Sequence, residues 1–127
     1  MVKRLIVFIV VAIVVAATAQ AGLWWVPFVA GVAAGLLPPE RAGRITAAAA
    51  AGAAAGWGLP LWILSLRGYP AGATARVIAA LAGIPPYAAV VVVIALLLAF
   101  LQAVVGAWLA RALVPRRYRQ GEPIRRE

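Results

Sequence analysis

Cysteine, histidine, aspartate and asparagine are all absent from this 127-residue chain, and Ser65 is its one serine. Besides the terminus, its carboxylates are Glu40, Glu122 and Glu127 alone. Each absence removes a class of chemistry. Zinc sites are built from Cys, His or carboxylate clusters. Nucleophile-base pairs need a base, most often His, and disulfides need paired cysteines. One copy of the chain can assemble none of these, so no catalytic, metal-ligating or cofactor-binding residue is assigned and an independent enzyme is not expected. Charge is scarce too, at 12% of residues, where a soluble domain has about a quarter. With 66% of the chain hydrophobic, a water-soluble globule could not cover its own exterior. Lipid is the expected solvent.

What is present is a series of apolar runs. The first extends from Leu5 to Ala21 and is rich in Ile and Val. The second, Leu23 to Leu37, stops at Pro38-Pro39 because proline cannot continue a helical ladder. The third, Ile45 to Leu66, begins alanine-rich and ends in GWGLPLWILSL, with Pro60 inside it. The fourth starts at Pro86 and reaches Leu113, and proline suits a first helical turn. Between the third and fourth lie residues 67–84, whose apolar part, Val77 to Ile84, is too short to span and is read as an interfacial or re-entrant helical turn.

Charge sets the direction, since Lys and Arg in short loops are held on the cytoplasmic side. Lys3 and Arg4 precede the first run, Arg41 and Arg44 separate the second from the third, and Arg111, Arg116, Arg117, Arg119, Arg125 and Arg126 lie at or beyond the end of the fourth. Four crossings with both termini inside gather these ten charges on one face and leave Arg67 and Arg76 on the other. Three crossings would strand one basic end outside. Trp24, Trp25, Trp62, Tyr69 and Tyr87 then fall near the outer boundary, while Trp108 and Tyr118 lie near the inner one. Trp57 is left near mid-depth.

Residues 1–21 also have the parts of a signal peptide: a basic start, an apolar run and the small-x-small end Ala19-Gln20-Ala21. Cleavage and retention both remain open. The length of the run favours retention, as do Gly22, the Trp24-Trp25 pair and Pro27, which together suit a membrane hairpin.

Two small-residue signatures mark candidate helix-packing positions: Gly31 and Gly35 in the second run, and Gly52 and Gly56 in the third. Glycines four apart let backbones approach closely, which matters in lipid because no hydrophobic drive brings helices together there. A loop centred near Arg41 sets Gly31 level with Gly52, so the second and third runs are expected to pack through these faces. Gly52 and Gly56 could alternatively serve a subunit contact. Gln102 is the most polar side chain deep in a run, and its amide is costly in hydrocarbon unless bonded. Trp57, within about a turn in depth, is the expected donor to the Gln102 carbonyl. No acidic group lies inside any run, unlike coupled transporters. Size and span count resemble the four-span small multidrug resistance exporters, but those carry a glutamate in their first helix and residues 5–21 hold none.

The expected fold is an all-α integral membrane protein: a four-helix transmembrane bundle over residues 1–113 with short loops, an interfacial helix before the last span, and a basic cytoplasmic tail at 114–127. Arg116, Arg117, Arg119, Arg125 and Arg126 of that tail are the candidate contacts to anionic lipid headgroups or an acidic partner. Nucleic acid is not an expected partner, because no nucleic-acid fold or aromatic platform accompanies the charge. Scattered Thr18, Thr46 and Ser65 form no polar stripe, which favours a structural or accessory subunit, packing with other membrane subunits or itself, over a small transporter, channel or lipid-binding protein.

Overall fold

A computed structural model describes residues 2–37 and 42–114. The regular secondary structure of the described residues is all helical, in five helices: α1 (Val2–Ala19), α2 (Val26–Gly35), α3 (Ala42–Leu66), α4 (Ala71–Leu81) and α5 (Ala88–Leu113). Three of these, α1, α3 and α5, are long and apolar enough to cross a membrane. At 1.5 Å per residue they measure about 27, 37 and 39 Å.

Two elements depart from the sequence expectation. The second apolar run forms a helix of only ten residues, about 15 Å long. Trp24 and Trp25 are spent on the turn that follows α1, and the helix starts at Val26 with Pro27 in its first turn. In the 67–84 segment, helix begins at Ala71, six residues before the expected apolar core, directly after Pro70. Eleven residues give α4 three turns, and it packs mainly on α5, with Ala75 and Ala79 as its buried residues.

Glycine ends the helices. Gly68 adopts φ +82° after α3, and Gly22 φ +74° after α1, a left-handed conformation that costs other residues about 1–2 kcal/mol. Around Gly68 the N–H of Tyr69 donates to Leu64 O at 3.1 Å and that of Gly68 to Ser65 O at 3.2 Å. This Schellman pattern satisfies carbonyls that the end of a helix would leave open. The same pair of bonds closes α4, from Ile84 to Ala79 O and from Gly83 to Ala80 O.

The helices assemble into two parallel pairs. A Cβ placed on Gly52 would lie 2.7 Å from the carbonyl oxygen of Phe8, and one on Gly56 2.6 Å from that of Ala12, so α3 and α1 keep step in the same direction. A Cβ on Gly31 would collide with the Ala103 carbonyl and one on Gly35 would lie 2.5 Å from the Ala107 oxygen, so α2 and α5 also run parallel. The pairs meet antiparallel along α3 and α5, where Thr46 contacts Arg111 at one end and Gly58 faces Leu96 at the other. The interior is made of small residues: Ala49, Ala50 and Ala53 on α3, and Ala99, Ala103, Ala107 and Ala110 on α5, all buried. The bulky apolar side chains, including Ile6, Ile13, Trp62, Leu98 and Val105, are exposed. This inverts the arrangement of a water-soluble core.

Candidate functional site

The chemistry-bearing positions are the helix seams and the few polar groups within them. In the α1–α3 seam the notch made by Gly52 and Gly56 takes the backbone of α1 together with Val11 and Val15. Val15 is the one buried residue of α1. In the α2–α5 seam, Gly31 and Gly35 lie against the Ala103 and Ala107 backbone, and from the other side Gly106 lies against the Phe28 carbonyl. All five glycines therefore sit where a methyl group would meet main chain, which cannot swing aside as a side chain can.

This corrects the expected pairing of the second and third runs through their glycines. Interpolating between the Thr46–Arg111 and Gly58–Leu96 contacts sets Ala103, and with it Gly31, about level with Gly52. The depth register holds, but the two glycine faces point to different helices. A notch is filled best by a ridge, and two notches facing each other would leave a gap. Gly31 and Gly35 take the alanine ridge of α5, and Gly52 and Gly56 take the ridge of α1.

The expected bond from Trp57 to Gln102 is absent. Trp57 Nε1 and Gln102 Oε1 are each buried without a hydrogen-bond partner. Helix geometry gives the reason. Leu96 and Arg111 mark the side of α5 that faces α3. At 100° per residue Gln102 is rotated about 120° from the first and about 180° from the second. Trp57 instead points into the bundle, packing on a cluster drawn from four helices: Val15, Val26, Ala50, Ala53 and Ala103. The half-buried Trp57 ring, with Phe100, thus flanks a buried cluster of smaller residues.

The hydroxyls line no path. Thr18 Oγ1 donates to Val14 O at 2.7 Å and Ser65 Oγ to Leu61 O at 2.9 Å, each folded back on its own helix. Thr46, the buried polar residue of α3, accepts from Arg111 Nη2 at 2.5 Å. Sequence reasoning missed this bridge, treating Arg111 only as a topology charge and Thr46 as a scattered hydroxyl. The signal was a donor and an acceptor at the same end of neighbouring antiparallel helices. It also missed Gly106, although small residues recur at three- and four-residue spacing through Ala99, Ala103, Gly106 and Ala110. Arg116, Arg117, Arg119, Arg125 and Arg126, with Glu40 and Arg41, lie outside the described residues.

On the outer flank of α3, Ala54, Ala55, Gly58, Leu59 and Trp62 form with Leu96 of α5 an open apolar groove of about 410 Å³. Comparison with protein families, characterised proteins and solved structures finds no match to this chain.

Proposed function

We propose that this chain is a multi-pass subunit of the cell membrane with no catalytic chemistry of its own, serving as a structural or accessory element that packs with other membrane subunits or with copies of itself. The observation that carries the reading is the inversion of burial. Alanine and glycine fill the interior while large aliphatic and aromatic side chains cover the exterior, as a lipid solvent favours and water does not. Every hydroxyl of α1 and α3 is engaged by a neighbouring group, which leaves no polar stripe for a pore.

The directions of the seams support four crossings with both termini cytoplasmic. Helices α1 and α3 run parallel, so the chain must return between them, and α2 runs in the returning direction alongside α5. Its ten residues are extended by the Trp24-Trp25 turn on one side and by Leu36 and Leu37 on the other. Lys3, Arg4, Arg44 and Arg111 collect at one end, and the aromatic residues Trp24, Trp25, Trp62, Tyr69 and Tyr87 at the other, the distribution expected of inner and outer boundaries. The basic tail adds attraction to anionic headgroups, worth about 1 kcal/mol per charge near the surface. The competing reading is a small transporter, channel or lipid-binding protein. The apolar groove beside Trp62 supports only its lipid-binding form, with an acyl chain as the fitting occupant.

Blue-native electrophoresis and native mass spectrometry of gently solubilised membranes test the assignment. A hetero-complex or a homo-oligomer is expected. A monomer without protein partners that retains bound lipid would instead favour the lipid-binding reading.

A further inference from the structure

Helix α2 accompanies only the inner part of its neighbour. Gly31 lies against Ala103 and Gly35 against Ala107, so the start of α2 at Val26 is level with about Leu98. From there α5 continues outward to Ala88, about 15 Å at 1.5 Å per residue. The same offset appears on α3. Gly58 faces Leu96, which sets Leu98 level with about Gly56. Helix α3 runs on to Leu66, again about 15 Å further. Helix α1 reaches the higher level too, since Ala12 against Gly56 places Ala19 near Ile63. The chain thus descends from the end of α1 to α2 through residues 20–25, which are not helical.

The lower end of that descent is built for a polar boundary. Trp24 and Trp25 occupy it, 64% and 47% exposed, and indoles prefer the level where membrane meets water. Neither the carbonyl of Trp24 nor the N–H of Trp25 has a hydrogen-bond partner among the described residues. Exposed, non-helical backbone does not occur in hydrocarbon, where nothing can bond it. A flat outer boundary drawn across the ends of α3 and α5 would sink this turn among acyl chains.

We propose that the chain draws the outer boundary down to Trp24 and Trp25, thinning the outer leaflet on the α2 side alone. Phospholipid headgroups and their water fill the step above α2. There the Trp25 N–H donates to a headgroup or water oxygen, and water donates to the Trp24 carbonyl. Residues 23–37, counted as helix throughout, cover about 22 Å, short of the roughly 30 Å hydrocarbon core. A bilayer accommodates a short apolar stretch by thinning, and the long α3 and α5 confine the thinning to one side. The inference rests on the membrane-subunit reading above and adds a local deformation of the lipid to it.

The test uses the purified full-length chain in phosphatidylcholine vesicles, where the absence of cysteine makes single-cysteine variants unambiguous. A charged, impermeant maleimide needs a hydrated thiolate, so its reaction marks where water reaches. Tyr87→Cys, just before the outer end of α5, sets the rate of an accessible site. Trp24→Cys and Trp25→Cys should each label at about that rate. Leu97→Cys lies at the same level, exposed but turned about 120° to 180° away from Ala103 and Gly106, and should stay unlabelled. So should Val29→Cys, exposed one turn further down α2. Protection of both tryptophan positions, equal to that of Leu97→Cys, overturns the proposal and leaves the membrane-subunit reading standing. Labelling of Leu97→Cys as fast as Tyr87→Cys would put α5 outside lipid and overturn both.

Discussion

Glycine at a seam and glycine in open space differ only in what a methyl group would meet, and the contrast is measurable. Gly31 abuts the Ala103 main chain, whereas nothing lies within 4 Å of a Cβ on Gly43. Gly31→Ala should therefore lower stability by about 1–3 kcal/mol through overpacking. Gly43→Ala should raise it by roughly 0.5 kcal/mol through helix propensity. Unfolding in mixed micelles, followed by circular dichroism, reads both. Trp57 offers a second contrast at this scale. Its half-buried ring packs against the buried cluster but its N–H is buried and unbonded. Trp57→Phe keeps most of the volume and removes a polar group whose burial costs about 1–3 kcal/mol, so the variant should be near neutral or more stable. Trp57→Ala should lose about 3–5 kcal/mol. A destabilisation by Phe as large as that by Ala, in the same micelle titration, would mean that the N–H is bonded after all.

Among the elements, α4 is the one attached through a single narrow face. Ala75 and Ala79 are its buried residues, and Val77, Ile78 and Leu81 are exposed around it. A helix held by two alanines is displaced by one larger side chain. Ala79→Leu should lift α4 from α5 and raise hydrogen exchange across residues 71–81, leaving the α1–α3 seam protected. Ala80→Leu, one residue round the helix on the exposed side, should change neither. Equal exchange in the two variants would show that α4 is held by something other than its alanine face. The element boundaries themselves were legible in part from turn residues. Gly22 takes positive φ at the turn expected after the first run, whereas Gly68 and Gly83, which end α3 and α4 in the same conformation, were not singled out from sequence. The start of α4 was not legible, because Ala71-Gly72-Ala73 carries too little hydropathy to register as an apolar run and becomes helical against α5.

At the level of the whole molecule, the proposal of four crossings turns on the direction of each helix. Parallel α1 and α3 require a return between them, and α2 supplies the only helix available for it among the described residues. Cysteines introduced at Val2 and at Gly121 should therefore label from the same face of the membrane, reacting with an impermeant reagent only after the cytoplasmic side is opened. Labelling from opposite faces would leave three crossings and reduce α2 to a short helix that does not traverse. The Thr46–Arg111 bridge at the basic end joins the two parallel pairs where they would otherwise splay.

Sequence alone determined the excess of apolar side chains, the existence of the three long apolar helices, the turn at Gly22 and the placing of basic residues beside and between the apolar runs. Those properties follow from local free energies: transfer of side chains to lipid, backbone freedom at glycine, and the charge of short loops. Only the tertiary structure decided which helix each glycine face would meet, how short α2 is, and where Gln102 points. In helices so rich in alanine nearly every face is small enough to pack, so composition offers several partners of similar fit. The choice falls to azimuth and register, which become fixed only when all the helices are set side by side.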